Sequence, residues 1–331
     1  MTKGNVLVTG GCGYIGSHVT RQLSEQGYSV TVIDNLSTGF PEALIHGETF
    51  VKADLGDLNT LKKLFDDNSF DAVLHFAASI IVPESVAEPL KYYRNNTVNM
   101  LGLLEQCERK GIEKFIFSST AATYGEENPS PVHEGMPPDP TNPYGTSKLM
   151  DEWILRDLAA ASRLRYVVLR YFNVAGADPK ARMGQRTPKA THLIKVACEY
   201  ALGKRDNLQI FGDDYKTPDG TCVRDYIHIE DLADAHLRAL SYLEEDGKSD
   251  LFNCGYGQGY SVKEVIDVVG EIHGKKLNPE IVGRRPGDVS SLVADNAKIT
   301  QNLGWRPQYA DLNKIVKHAY NWEKKLTPPS S

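Results

Sequence analysis

Cysteine is scarce here, and the five that occur (Cys12, Cys107, Cys198, Cys222 and Cys254) are odd in number, widely spaced and without a CxxC. That pattern excludes a disulfide framework and a cysteine zinc site, so the thiols read as free and no metal is expected. Long hydrophobic runs are missing as well, and nothing approaches the ~20 apolar residues of a membrane span. Only Met1 to Gly4 precede the first strand signal, too little for a secretory leader, which predicts a cytoplasmic protein. Positive charge is not in excess. The net charge of −6 argues against a nucleic-acid surface and leaves room for no more than a local basic patch toward a small phosphate ligand. Internal repeats and low-complexity segments are absent too.

What is present begins at Asn5, with the run NVLVTGGCGYIGS. A short β-branched stretch, Asn5 to Thr9, reads as a strand buried on both faces, and the amphipathic run Tyr14 to Gln26 reads as a helix. Between and inside them lie Gly10, Gly11, Gly13 and Gly16. Glycines there let the backbone turn tightly and approach a ligand, while free N–H groups at the helix start receive a pyrophosphate. With 28 glycines in 331 residues, GxxGxxG arises about 0.2 times by chance, so context has to carry the inference. Context does: a second strand, Ser29 to Ile33, ends in Asp34, where a carboxylate can bond both hydroxyls of an adenosine ribose. The same carboxylate repels a 2′-phosphate, and Asn35, Leu36 and Ser37 offer no arginine to receive one. NAD is therefore expected over NADP.

Strand and helix signals go on alternating: Phe50 to Ala53, a helix near Leu58 to Asp67, Ala72 to His75, a long helix from about Pro89 to Lys110, Lys114 to Phe117, and Arg165 to Tyr171. This rhythm predicts an α/β fold with a doubly wound parallel sheet, whose ligands sit at the carboxyl ends of the strands. Asp54 with Leu55, Phe76 with Ala77 and Ala78, and Ser118 to Thr120 occupy those ends. After Ala175 the rhythm loosens. A first domain is expected over 1–175 and a smaller α/β domain over 176–331, with some segments of the second returning to the first. Its signals are a helix near Lys189 to Leu202, a strand Leu208 to Phe211, an Asp-rich helix Ile229 to Leu243, a strand Leu251 to Cys254, a capping box at Ser261 and Glu264, a strand Glu280 to Val282, and a helix Leu312 to Lys325 before a frayed TPPSS tail.

Asn142 and Pro143 form a helix start, with asparagine as cap and proline in the first turn. The helix carries Tyr144 and Lys148, one turn apart on one face. Tyr200 and Tyr320 begin the same YxxxK spacing, but only Tyr144 opens a helix shortly after a strand ending in hydroxyl residues. An ammonium within about 4 to 5 Å favours a phenolate by up to about 3 pKa units at an effective dielectric near 20, and burial takes part of that back. Tyr144 is thus the expected base toward a substrate alcohol, with the hydroxyl of Thr120 aligning the oxygen.

The segments TGGCGYIGSH, VIDNLSTG, KADLGD, HFAAS, NNTVN, FSSTAATYGE, PYGTSK, RYFNVAGA, TCVRDYIHIEDLADAH and RRPGD span nearly the whole chain. Through them it resembles the extended short-chain dehydrogenase/reductase family, and within it the members that invert carbon 4 of UDP-hexoses. The resemblance implies tightly held NAD, with Gly10, Gly13, Tyr14, Ile15, Gly16, Asp34, Asn35, Asp54, Leu55, Phe76, Ala77, Ala78, Asn95, Tyr144, Lys148 and Phe172 about the cofactor. It implies Thr120, Tyr144 and Lys148 as catalytic residues, and UDP-glucose and UDP-galactose as partners. The second domain would clasp the UDP through Asn173, Leu193, Phe211, Arg224, Tyr226, Arg285 and Asp288, the two arginines as diphosphate clamps. A homodimer paired through the helix after Pro89 and the helix of Lys148 is also implied.

Related dehydratases place an Asp-Glu pair after the strand-end threonine to move protons at carbons 5 and 6. Ala121 and Ala122 stand there instead, so oxidation and re-reduction at carbon 4 is the chemistry left. Three further departures matter. Ile80 replaces a lysine that helps retain the cofactor; Leu292 stands where a tyrosine restricts relatives to unacetylated sugars and a smaller residue admits N-acetylhexosamines; and Thr191-His192-Leu193 replaces Asn-Asn-Leu. Leucine is of intermediate size, which favours the unacetylated pair and leaves the acetylated one open.

Overall fold

The computed structural model describes residues 2–187, 190–285 and 288–326. Strand β1 (Asn5–Thr9) turns into helix α1 (Tyr14–Glu25), followed by β2 (Ser29–Asp34), β3 (Thr49–Lys52), α2 (Leu58–Asp67) and β4 (Ala72–His75). Next come α3 (Val82–Ala87), α4 (Pro89–Tyr92), a π-helical turn over Tyr93–Val98, α5 (Asn99–Lys110), β5 (Lys114–Thr120), α6 (Pro143–Ala161), β6 (Arg165–Tyr171) and β7 (Asn173–Ala175). The remainder holds α7 (Leu193–Ala201), β8 (Gln209–Phe211), β9 (Val223–His228), α8 (Ile229–Glu244), β10 (Asp250–Cys254), β11 (Gly259–Ser261), α9 (Val262–His273), β12 (Glu280–Val282), β13 (Ser291–Leu292), α10 (Ala297–Asn302) and α11 (Leu312–Lys325).

Seven strands make one parallel sheet in the order β10-β6-β5-β4-β1-β2-β3, a doubly wound, Rossmann-type arrangement. Val6, Leu7 and Val8 are wholly buried, because helices cover both faces and leave no polar side for the strand. On one face Val19 and Leu23 of α1 pack with Leu232, Leu237 and Leu240 of α8. On the other, Leu61 and Phe65 of α2, Leu103 of α5 and Leu155 of α6 form a second layer. The chain runs from β1 outward to β3 and then resumes at β4 on the opposite side of β1. That reversal opens a crevice at the carboxyl ends of the strands.

The later part of the chain builds a smaller assembly in which β9 pairs with β7, β11 and β13. Ile194 of α7, Val265 and Val269 of α9, and Ile315 and Val316 of α11 form its own apolar cluster. Strand β10 leaves it to become the edge of the large sheet beside β6.

Several elements differ from the sequence expectation. The helix expected from Pro89 to Lys110 is interrupted by the π turn, where Asn95 and Asn96 reach across to Ser79. Helix α3 was not expected, although Pro83 in its first turn is a start signal. Helix α7 begins at Leu193, later than Lys189, which with Pro188 lies outside the described residues. Strands β7, β11 and β13 and the short α10 were also unforeseen, being too brief for periodicity to register. The tail TPPSS lies outside the described residues.

Candidate active site

The glycine turn is packed so closely that side chains have no room. Gly10 has φ +70°, and a Cβ there would lie 2.7 Å from the Ala77 nitrogen; a Cβ on Gly16 would lie 2.3 Å from the Gly10 carbonyl oxygen. Gly13 donates its N–H to that carbonyl at 3.1 Å and caps α1 without any side-chain bond, leaving the helix start open to an anion. The Tyr14 hydroxyl donates to Gly176 O at 2.7 Å, and Ile15 packs into the α1/α8 layer.

Asp34, at the end of β2, accepts from Cys12 N at 3.0 Å and Leu36 N at 2.7 Å. Burial raises its carboxyl above the ordinary range, against the pull of those two N–H groups. Asn35 Nδ2 donates to Asp54 Oδ2 at 2.7 Å, and Leu55 is buried beside them, so the residues expected around an adenosine gather at one edge. Phe76 and Ala77 follow β4, with Ala77 against Gly10 and the Phe76 ring 4.8 Å from the His236 imidazole; Ala78 continues the loop, half-buried. Asn95 Nδ2 donates to Ser79 Oγ at 3.1 Å, which brings the π turn to the same loop. Ile80 is 44% exposed, and no cation stands at its position.

Opposite this cradle, the Asn142 side chain caps α6 by accepting from Gly145 N at 2.9 Å. A Cβ on Gly145 would lie 2.7 Å from Ala122 O, so the first turn of α6 rests on the segment after Thr120. The Thr120 hydroxyl, which accepts from Ala122 N at 3.1 Å, lies by the Tyr144 phenol, and both residues are nearly buried. The phenol is pushed well above its ordinary pKa by burial first, then by the Tyr171 and Tyr92 phenols, with only the Thr120 hydroxyl lowering it. Lys148 does not offset this as expected from the sequence. Its Nζ lies 4.3 Å from the centre of the Phe117 ring, and burial pushes the ammonium pKa down while Asp151 and Glu152 pull it back.

The residues expected to hold a nucleotide sugar fall into two groups. Asn173, Leu193 and Tyr226 line one cavity of about 20 Å³ with His192 and Lys195, room for a water-sized molecule. In the second group the Arg285 guanidinium stacks 4.4 Å over Phe211, and Asp288 bridges Arg285 at 2.9 Å and Arg224 at 3.5 Å. The segment after Thr120 enters an apolar wall of Ala121, Tyr124, Val132, Phe172 and Ala294, with Leu292 packed against it. Leu292 pairs in register with Arg224, which ties that wall to the arginines. His192 Nδ1 bonds the Gln185 side chain at 2.9 Å.

Asn96 escaped the sequence reading, although NNTVN contains it. Its amide accepts from Ser79 N at 2.8 Å and donates to Ser79 O at 3.1 Å and Ser147 Oγ at 3.0 Å, while Ser147 Oγ donates to Tyr144 O at 2.8 Å. One buried amide thus joins the loop after β4 to the turn that carries Tyr144.

Fold and site together define a dinucleotide-binding enzyme with a hydroxyl-and-phenol pair at the rim of its sheet. The chain belongs to the NAD dependent epimerase/dehydratase family, whose model matches residues 6–255. It is 54% identical over 321 residues to a UDP-glucose 4-epimerase of Azospirillum brasilense, covering 97% of this chain and 92% of that one. Among solved structures it is similar to the UDP-glucose 4-epimerase of Brucella ovis in complex with NAD, with TM-score 0.93, 44% identity, and 96% of this chain and 98% of that chain covered. It is also similar to the UDP-Glc/GlcNAc 4-epimerase of Campylobacter jejuni, with TM-score 0.86, 51% identity, and 97% and 99% covered.

Proposed function

We propose that the protein interconverts UDP-glucose and UDP-galactose by NAD-dependent inversion of carbon 4. The observation that carries this reading is the placing of the Thr120 hydroxyl by the Tyr144 phenol, with Lys148 one turn on, at the strand ends beside the glycine cradle, followed by Ala121 and Ala122. The cradle suits a dinucleotide: Gly10, Gly13 and Gly16 leave backbone bare at an uncapped helix start, and Asp34 stands ready for a ribose without a 2′-phosphate. Around it, Tyr14, Ile15, Asn35, Asp54, Leu55, Phe76, Ala77, Ala78, Asn95, Lys148 and Phe172 would complete the cofactor site. Bound NAD supplies reversible hydride exchange at carbon 4.

The chain's own residues do the rest. Tyr144 takes the proton of the 4-hydroxyl and later returns it, while Thr120 keeps that oxygen in line. Alanine at 121 and 122 carries no proton, so carbons 5 and 6 are left alone. Arg224 and Arg285 grip the diphosphate, and Phe211, Asn173, Leu193, Tyr226 and Asp288 hold the uridine end. Against the apolar wall of Phe172, Ala121 and Leu292 the 4-keto hexose finds few directional bonds, and it can turn over while the UDP stays fixed.

The purified protein is expected to convert UDP-galactose to UDP-glucose with no added reductant. Loss of water from the sugar, or NADH accumulating with oxidised sugar, sinks the reading. A second reading, epimerisation of the N-acetylated pair, is favoured by an aliphatic Leu292 in the wall and by the similarity to the Campylobacter jejuni enzyme.

Assembly and location belong to the same proposal. Leu90, Val98 and Leu101 on one helical run, and Met150 and Trp153 on α6, are apolar and well exposed, which supports a homodimer paired through these helices. Five free, buried thiols support a reducing, cytoplasmic setting.

A further inference from the structure

The role proposed for Lys148 requires an ammonium, yet it is only 2% exposed, and burial alone drives a lysine toward its neutral form. The groups around it do little to help. Glu152 pulls the lysine back less than Asp151 does, and its oxygens are shared: Arg170 binds it at 3.0 and 2.5 Å, and Ser119 donates to it at 2.5 Å. His75, from β4, shares a hydrogen bond with Thr9 at 2.7 Å, and burial holds its pKa at about 3, so it brings no charge. From β5 comes the Phe117 ring, which is uncharged, and the phenols of Tyr92, Tyr144 and Tyr171 are all pushed toward the neutral form by burial.

One group remains. Asp151 lies three residues beyond Lys148, so both project from one face of α6. It is completely buried, and among the described residues it is the acidic side chain with both oxygens buried and neither hydrogen-bonded. The Thr97 hydroxyl stands beside it and favours its charged form, but donates to Ser147 O at 3.3 Å. A buried carboxylate without donors is costly unless a cation faces it. Lys148 is the cation that does, and the attraction works in both directions: it raises the lysine and lowers the acid against burial.

We propose that Asp151 is the internal counter-ion of Lys148, a positioning residue that keeps the lysine an ammonium beside Tyr144. The two make no direct ion pair; the carboxylate acts through buried surroundings, where the low dielectric preserves its field. Because the proposal rests on Tyr144 and Lys148 being the acid–base pair, its test needs a reading that turnover does not enter.

Two measurements on the full chain at saturating NAD supply it. In the pH profile of kcat, Asp151→Asn is expected to bring the alkaline limb at least tenfold in proton concentration closer to neutrality, with KM changed less than kcat, and Asp151→Glu to move it back. In thermal unfolding, Lys148→Met strands the carboxylate, so the double variant Lys148→Met/Asp151→Leu is expected to melt higher than Lys148→Met alone. An alkaline limb that stays in place in a folded Asp151→Asn overturns the proposal, and so do additive midpoints. If Asp151→Asn does not fold, the midpoints decide. A wild-type protein inactive on UDP-hexoses sinks the proposed function and leaves the charge pair standing on its unfolding data.

Discussion

Tyr144 is a phenol that its surroundings keep neutral, and this changes how the acid–base step is to be understood. Spacing along the helix suggested that Lys148 acidifies it, but burial and two neighbouring phenols act more strongly, and the lysine turns toward the Phe117 ring. The proton therefore stays on Tyr144 until a substrate alcohol and a cationic cofactor change the balance. If the hydroxyl carries that proton, Tyr144→Phe keeps the fold and binds UDP-sugar, but loses at least about 100-fold in kcat, the usual range for a positioned acid–base group. Turnover within a few-fold of wild type in a steady-state assay removes Tyr144 from the mechanism. Leu292 calls for a different experiment, since its side chain is aliphatic and fills part of a wall. Leu292→Tyr enlarges that side chain beside Phe172, and its expected effect is to lower kcat/KM for N-acetylated UDP-hexoses about tenfold or more while sparing UDP-glucose. Equal losses on both sugars would mean that the wall does not sort them.

The elements show where sequence is legible and where it falls silent. Strand Ala72–His75 and helix Leu58–Asp67 lie where their patterns end, because each is a local run of apolar residues bounded by its own stop signals. The capping box of α9 is local too, and both of its bonds are present. The π turn is another matter. Nothing in the periodicity of Pro89 to Lys110 announces an extra residue per turn, since what holds it open is a set of bonds to Ser79 and Ser147, distant in sequence. Sequence pointed to Asn95 and passed over Asn96 for the same reason: adjacent asparagines look alike until tertiary contacts separate them. The places of Thr120 at a strand end and of Tyr144 and Lys148 at a helix start were legible, whereas the dominance of burial over the lysine's charge depends on packing that no spacing encodes. Asn96→Ala strips the Ser79 backbone and Ser147 of their buried partner, at a cost of roughly 1 to 3 kcal/mol. The expected result is a lower thermal midpoint together with a fall in kcat larger than any change in KM, and Asn96→Asp, which keeps the acceptor, lies between. A variant with a lower midpoint and unchanged kcat would confine Asn96 to structure.

Across the whole molecule, the late part of the chain is fastened to the early part by a few buried charges, and that fastening is sensitive to acid. Glu230, at the start of α8, is bonded by His18 at 2.6 Å, by Gln22 at 2.8 Å and by Arg21, all on α1. Burial on its own would raise this carboxyl, but His18, Arg21 and Gln22 outweigh it and bring its pKa from 4.5 down to about 2. A carboxyl whose folded value lies below its unfolded one contributes stability in full above pH 4.5, and that contribution fades as pH falls through about 2. The size is on the order of 2 to 3 kcal/mol, a large share of the margin by which proteins stay folded. Asp178, also depressed to about 2, through Arg182, loses its contribution over nearly the same interval. Denaturant unfolding at a series of pH values should therefore show stability dropping between about pH 4.5 and 2, and Glu230→Gln should flatten that drop while costing stability at pH 7. A slope unchanged by Glu230→Gln would mean that the acid response arises elsewhere and that the apolar layer between α1 and α8, with Val19, Leu23, Leu232 and Leu240, suffices to hold the two parts of the chain together.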